Sequence, residues 1–291
     1  MLFPSSVLSR ALSRPIISRP IISRPIISRP LISRCALPLS RPLSSASSLP
    51  APLLDPALLL SRLSSLAPAI SSSLRSDGYY TAEPILPPPV IRAMRAQSIA
   101  LRAEGRFEAS YSEAIGPDGA KRRFDKEGVF ACEPDGGDYE TAPDLLAYMS
   151  TVITELPPLL EGCGISGAAF NAKLAVTSPG GSVYPLHVDN PEGVAAGDTR
   201  KLTAIVYLNP DRGDGDGGEL RLHMPGGATL DLPPEGGRLV LFWSDDVPHE
   251  VLPTAVGGEG EEFDRYALTI WLPTDELERL HEPDSKWAGL R

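Results

Sequence analysis

Two short stretches in the second half of the chain carry side chains that can hold a metal. The first is His187-Val188-Asp189. In an extended segment residues i and i+2 point to the same side, so this imidazole and this carboxylate can reach one point. The second is His249, at a strand start after Ser244-Asp245-Asp246-Val247-Pro248. Together they offer two imidazoles and one carboxylate on one face of a cation, an arrangement that suits non-haem Fe(II) and leaves three coordination positions open. A complete protein ligand set would make a structural site; open positions admit reactants. A third stretch reads Asp264-Arg265-Tyr266-Ala267-Leu268-Thr269-Ile270-Trp271. Alternation puts Arg265, Ala267, Thr269 and Trp271 on one face. An arginine on an inward face is costly to bury unless it meets an anion, and its planar fork matches a carboxylate.

Each element alone is a weak signal. A lone HxD recurs by chance, a lone His249 reads equally as a satisfied core or loop histidine, and a lone Arg265 as a surface strand residue. Their order within one β-rich region is what joins them. The acidic run Asp211–Asp216 does not have the spacing of an EF-hand and reads as a turn.

The elements that must position these residues fall into two halves. Helical apolar spacing covers Pro56–Leu74, ended by Ser76-Asp77-Gly78, then Val90–Glu104 after three prolines, then Thr141–Glu161 with an interruption near Pro157-Pro158. Residues 111–138 read as a long exposed loop or weak hairpin. From Ala172 the pattern changes to short β-type runs between Gly, Pro and Asp clusters: Lys173–Thr177, Tyr184–Val188, Leu202–Leu208, Glu219–His223, Thr229–Leu232, Arg238–Trp243, Glu250–Leu252 and Tyr266–Leu272. Helices first and strands afterwards predict an α+β fold, a double-stranded β-helix (jelly roll) with an N-terminal helical layer packed on one sheet. The expected division is residues 1–54 as a low-complexity segment and 55–291 as one domain, with the jelly-roll core at 172–275.

Bulk properties narrow the classes. At 291 residues and 42% hydrophobic the chain can bury a full core. No apolar run reaches the roughly 18–20 residues of a membrane span, so a soluble body without a membrane partner is expected. Cys35, Cys132 and Cys163 have no paired spacing, which argues for a reducing compartment and against structural zinc. Residues 1–54 hold seven of the 27 basic residues and no acid, so residues 55–291 carry 20 bases against 37 acids, a net of −17. Such an acidic body does not suit a nucleic-acid partner; it suits solubility or a basic partner. Within the first 54 residues the unit S-R-P-I-I repeats with a period of five from Ser13 through Arg34, and a proline at that spacing forbids a continuous helix. Arg-rich, Ser-rich and acid-free composition reads as a mitochondrial or plastid transit segment, the alternatives being a disordered tail or a misassigned gene start. Without such targeting a cytoplasmic location is expected.

The wording of the motifs adds a resemblance. His187-Val188-Asp189-Asn190-Pro191, Arg200–Asn209, Gly217-Gly218-Glu219-Leu220-Arg221, Phe242-Trp243-Ser244-Asp245, Pro248-His249-Glu250-Val251 and Arg265–Trp271 resemble the prolyl 4-hydroxylase family, and within it the egl-nine type of hypoxia-inducible-factor prolyl hydroxylases and their microbial relatives. The resemblance spans about Gly78–Asp275 and is strongest after Ala172. It implies an oxygen-sensing type of Fe(II)- and 2-oxoglutarate-dependent dioxygenase. Such an enzyme uses O2, with ascorbate keeping the iron reduced, and hydroxylates a prolyl residue of a protein substrate while 2-oxoglutarate becomes succinate. It implies His187, Asp189 and His249 as iron ligands, Arg265 and Tyr207 on the far carboxylate of 2-oxoglutarate, and Thr269, Leu220 and Trp271 around that cosubstrate. It further implies Tyr184 and Arg200 at the substrate mouth, and Arg123-Phe124-Asp125-Lys126 as a loop over the substrate, with Arg123 and Asp125 as substrate contacts. A monomer is expected.

Two departures stand out. Ser178-Pro179-Gly180 replaces the family's Tyr-Pro-Gly, and the stretch between His249 and Arg265 is long and acidic through Gly257–Glu262, expected as an exposed hairpin extension. The competing readings are a 2-oxoglutarate oxygenase acting on a small molecule, and a non-catalytic iron- or oxygen-sensing binding module.

Overall fold

The computed structural model describes residues 52–115, 121–180, 184–212, 215–254, 260–282 and 285–289. The transit-like segment lies outside these apart from residues 52–54. Three helices, α1 (Pro56–Asp77), α2 (Pro88–Ala103) and α3 (Pro143–Leu159), accompany eleven strands. These are β1 (Tyr79–Ala82), β2 (Glu108–Ile115), β3 (Lys121–Cys132), β4 (Asn171–Thr177), β5 (Tyr184–His187), β6 (Arg200–Tyr207), β7 (Leu220–His223), β8 (Thr229–Leu232), β9 (Leu239–Trp243), β10 (His249–Val251) and β11 (Arg265–Pro273).

Helix α1 starts where the Asp55 carboxylate accepts the Ala57 N–H at 2.9 Å, with Pro56 supplying a preset φ at the first position. It stops at Gly78, whose φ of 77° lets its N–H reach the Leu74 carbonyl at 3.1 Å. Leu59, Leu63, Ile70 and Leu74 form its buried face, against α3 and the first strands. The expectation that no segment suits a membrane span needs one correction: α1 is long and apolar enough by length and composition, although a third of that stretch is buried within this fold. The interruption expected near Pro157-Pro158 does not occur. Both prolines sit in the last turn of α3, where the helix is about to end.

The strands form two antiparallel sheets, one ordered β1-β9-β6-β11-β4-β3-β2 and the other β5-β10-β7-β8. All eight expected strands are present, with ends shifted by a residue or two. Strand β6 lies in the middle of the larger sheet, and from Lys201 to Tyr207 every residue is buried, which explains its nearly continuous apolar run. The alternation on β11 holds: Tyr266, Leu268 and Ile270 are buried in the core beside the helices, while Thr269 and Trp271 remain half-exposed on the opposite face with Arg265.

Of the two readings given for residues 111–138, the described residues show the hairpin, and one strand was not read at all. Strands β2 and β3 make a hairpin, and Val129–Cys132 pair with Leu174–Thr177, which extends the larger sheet. Strand β1 is an additional edge, pairing with Leu239–Phe242. Its four residues Tyr-Tyr-Thr-Ala show no alternation from which a strand could be read. In the acidic insertion, 257–259 lie outside the described residues and Glu261–Phe263 form a short 3-10 turn.

Candidate active site

The two histidines meet because β5 and β10 are neighbours. His187 and His249 are direct cross-strand partners, so their side chains leave the sheet on the same side, with ring centroids 4.3 Å apart. Asp189 lies two residues beyond His187, in the turn after β5. Its Oδ1 stands 3.4 Å from His187 Nε2 and 3.7 Å from His249 Nε2. His187, Asp189 and His249 thus form a compact cluster of candidate ligand atoms.

Each group is prepared for a cation. His187 Nδ1 is 2.7 Å from the Pro185 carbonyl and His249 Nδ1 is 3.0 Å from the Val247 carbonyl. A carbonyl can only accept, so each Nδ1 carries the proton and each Nε2 lone pair is free to ligate. His249 is 5% exposed and packs on Phe242 with ring centroids 4.6 Å apart. Burial, joined by the nearby His187, pushes its pKa down to about 4, so the ring is neutral at physiological pH. Asp189 is 8% exposed. Burial alone would raise its carboxyl, but His249, His187 and Arg200 outweigh it and hold the group well below the usual carboxylate range.

The second oxygen of Asp189 is fixed by two donors. Thr203 Oγ1 and Trp271 Nε1 each donate to Oδ2 at 2.8 Å. Thr203 Oγ also lies 2.8 Å from Ser244 Oγ. Arg200 donates through Nη2 to the Asp189 carbonyl at 2.8 Å and pairs with Asp198, its guanidinium 5.6 Å from the Trp271 ring centre. Asn190 ties the following turn by donating to the Asp198 and Arg200 carbonyls. The structure therefore ties Trp271, grouped above with the cosubstrate residues, to the carboxylate of the candidate metal cluster.

The other end of the site lies along the same two strands. Trp271 pairs with Thr203 at the metal end, and four residues further along β6 Ala267 pairs with Tyr207. At ~3.3 Å per residue the backbones of Thr203 and Tyr207 are about 13 Å apart, a span that long side chains shorten. Arg265 is 4% exposed, donates through Nε to the Gly218 carbonyl at 2.8 Å, and has its guanidinium 5.1 Å from the Tyr207 ring centre. Gly218 is required here: a Cβ would lie 2.8 Å from Arg265 Cδ, and its φ is 75°. Among the described residues Arg265 has no carboxylate partner. Tyr207 Oη is buried beside it without forming a hydrogen bond, and burial raises the phenol so that it stays protonated. Tyr184 Oη is likewise buried, with no hydrogen-bond partner placed among the described residues. A buried guanidinium beside unpartnered hydroxyls calls for an anionic ligand with acceptor oxygens.

Other expected residues are placed as follows. Thr269 sits between Ile205 and Lys173 on the Arg265 face, and Leu220 is buried on β7 opposite Val251. Arg123 and Asp125 are exposed on the hairpin, where they pair with each other at 2.8 Å, and Arg123 covers the Tyr111 ring. The structure does not bring them to the metal cluster. Thr203, Ser244 and Asn190 were missed by the sequence reading. For Thr203 a signal existed, since alternation on β6 places it on the same face as Tyr207.

A jelly roll holding two imidazoles and a carboxylate at one end of a cleft, and a buried arginine at the other, defines an oxygenase class. Residues 172–273 match the family model described as the 2OG-Fe(II) oxygenase superfamily. It is similar to a hypoxia-inducible factor prolyl hydroxylase of Caenorhabditis elegans, 40% identical over 116 residues. The match covers 39% of this chain and 14% of that relative, so the chain spans only a small part of its length. Among solved structures, a Pseudomonas putida prolyl-4-hydroxylase aligns with a TM-score of 0.56 at 28% identity, over 72% of this chain and 98% of that one. A Trichoplax adhaerens prolyl hydroxylase, solved with a hypoxia inducible factor oxygen degradation domain peptide, aligns with a TM-score of 0.59 at 23% identity, over 75% and 93%; at that identity it supports the fold.

Proposed function

We propose that this chain is an Fe(II)- and 2-oxoglutarate-dependent dioxygenase that hydroxylates prolyl residues of a protein substrate. The observation that carries the reading is Arg265, buried without a carboxylate partner among the described residues, on the strand whose Trp271 holds the Asp189 carboxylate. A metal ligand set and an anion site on one strand fit a cosubstrate that chelates iron at one end and presents a carboxylate at the other. The likeness to the Pseudomonas putida prolyl-4-hydroxylase favours a prolyl substrate over a free small molecule.

His187, Asp189 and His249 would hold the iron, and Arg265 with Tyr207 would hold the far carboxylate of 2-oxoglutarate. When bound, iron, 2-oxoglutarate and O2 supply the oxidising chemistry, with loss of CO2, formation of succinate and transfer of one oxygen atom to the substrate. The residues of the chain act by position. Val247 and Pro185 fix the imidazole tautomers, Thr203 and Trp271 fix the carboxylate plane, and Phe242 keeps water from His249. Tyr207, protonated, donates to the cosubstrate. Ascorbate would serve as the reductant that keeps the iron in its Fe(II) state, and the chain would work as a monomer. The Arg- and Ser-rich, acid-free composition of the first 54 residues supports action inside a mitochondrion or plastid, which imaging of a tagged full-length chain tests.

The decisive experiment incubates the full chain with lysate proteins, Fe(II), 2-oxoglutarate and O2, and follows succinate together with proline residues gaining the mass of one oxygen atom. Both signals are expected for the wild type and neither for His187→Ala. Succinate coupled to a free metabolite, with no proline modified, would overturn the prolyl reading.

A further inference from the structure

Two lysines lie near Asp189 of the candidate metal cluster with no role in the scheme above. Lys126 lies on β3 two residues before Gly128, whose φ of 68° bends the strand just before it pairs with β4, and whose carbonyl accepts the Ser178 N–H at 2.9 Å. The bend brings Lys126 over Tyr184, with Nζ 3.7 Å from the ring centre. Lys173 lies on β4 opposite Thr269, on the face that carries Arg265 and Trp271, and its Nζ is 3.5 Å from Ser110 Oγ. Both side chains are half-buried. Both ammonium groups feel the Asp189 carboxylate, Lys126 also feels the like charge of Lys173, and Lys173 also feels Glu133. Yet among the described residues no carboxylate stands within ion-pair distance of either. Burial, and for Lys126 the like charge of Lys173, pushes both pKa values down. With its pKa drawn down to about 7 and no counter-ion among the described residues, Lys126 is only partly charged near neutral pH. An anion between the two lysines would stabilise the charged form of both. The cosubstrate's far carboxylate already has Arg265 and Tyr207, and its other end belongs to the metal.

We propose that Lys126 and Lys173 form an anion-recognition pair at the substrate side of the iron, selecting proteins with an acidic side chain adjacent to the target proline. This rests on the prolyl reading and names its substrate class. Lys126 and Lys173 act as specificity-determining residues, with the Tyr184 ring fixing the height of the first and Ser110 the direction of the second.

The test uses fluorescein-labelled alanine-flanked peptides with Glu-Pro-Glu, Gln-Pro-Gln or Lys-Pro-Lys centres. Binding to the full chain with Mn(II) and 2-oxoglutarate, without O2, is followed by anisotropy. The Glu peptide is expected to bind about tenfold tighter than the Gln peptide, an advantage that high salt erodes. Lys126→Met is expected to remove the preference, and the pair Lys126→Glu with Lys173→Glu to reverse it toward the Lys peptide. The affinity for 2-oxoglutarate should change less than about twofold in each. Equal binding of the Glu and Gln peptides overturns the proposal. So does a variant that weakens 2-oxoglutarate while keeping the peptide preference, because the pair would then serve the cosubstrate. Turnover with Fe(II) and O2 separates the two readings. Charge-selective binding with no hydroxylated proline in any peptide overturns the prolyl reading and leaves the pair supported, whereas hydroxylation indifferent to flanking charge does the reverse.

Discussion

Replacing Trp271 by Phe tests how the metal carboxylate is held. The substitution keeps a ring beside Arg200 and removes one atom that matters, the Nε1 that donates to Asp189 Oδ2 at 2.8 Å. Two effects oppose. Losing a donor makes the carboxylate more basic, which favours metal binding, but it also frees Oδ2 to rotate away from the plane that aims Oδ1 between the two histidines. A hydrogen bond to a charged group contributes about 1.5–3 kcal/mol, and loss of such supporting partners commonly weakens metal affinity ~10–100-fold, so orientation should dominate. Thr203 still donates to the same oxygen, which places the expected effect near the lower end, about tenfold. Mn(II) titration by calorimetry without O2 measures it, and thermal unfolding at fixed metal should show about 1.4 kcal/mol less metal-dependent stabilisation. Adding Thr203→Val should cost at least as much again, because Oδ2 then has neither donor. A Mn(II) affinity for Trp271→Phe within twofold of wild type, in a protein with unchanged metal-free stability, would refute the reasoning.

Three further outcomes follow from the same geometry. Arg265→Ala should raise the 2-oxoglutarate dissociation constant by about 100-fold or more, since two charge-assisted bonds are lost; calorimetry on the Mn(II) form reads it, and an unchanged constant would remove the assigned role. Lys201→Met should destabilise the fold by about 3–5 kcal/mol in urea unfolding, because it leaves the fully buried Asp245 carboxylate without the ammonium now 3.0 Å away; a loss below about 1 kcal/mol would contradict this. The Asp138 carboxyl is nearly buried and tends upward for that reason, but Arg106 and the Asp135 N–H hold it below its ordinary 3.8. Its stabilising contribution is therefore complete above that value and is lost as pH falls through the lowered one. Urea midpoints should show Arg106→Ala about 1–2 kcal/mol less stable at neutral pH, the half-exposed guanidinium limiting the effect, with the gap closing in acid; a gap constant down to low pH would contradict the pairing.

Much of the site was legible because strand alternation is a local property. The i, i+2 spacing put His187 and Asp189 on one side, and the same period put Arg265, Thr269 and Trp271 on one face of β11, as the structure has them. The eight strands after Ala172 were legible through their turn residues, and the three helices through their apolar spacing and caps. The hairpin at 108–132 was legible only as one of two alternatives because its strands are polar over much of their length, and the contact that fixes it to the larger sheet, Val129–Cys132 against β4, lies 40 or more residues further on. Strand β1 was missed for a similar reason, its partner β9 lying far along the chain.

Types, faces and order along each strand are thus set by the sequence itself, since they depend on neighbours two or three residues away. Which strand lies beside which, and in what register, is decided only when the sheets close. That closure placed His249 directly across from His187, brought Trp271 to the Asp189 carboxylate 82 residues away, and left Arg265 buried beside Tyr207. It also folded Lys126 over Tyr184, a contact that no periodicity encodes because it depends on a bend at Gly128 and the packing of three separate strands.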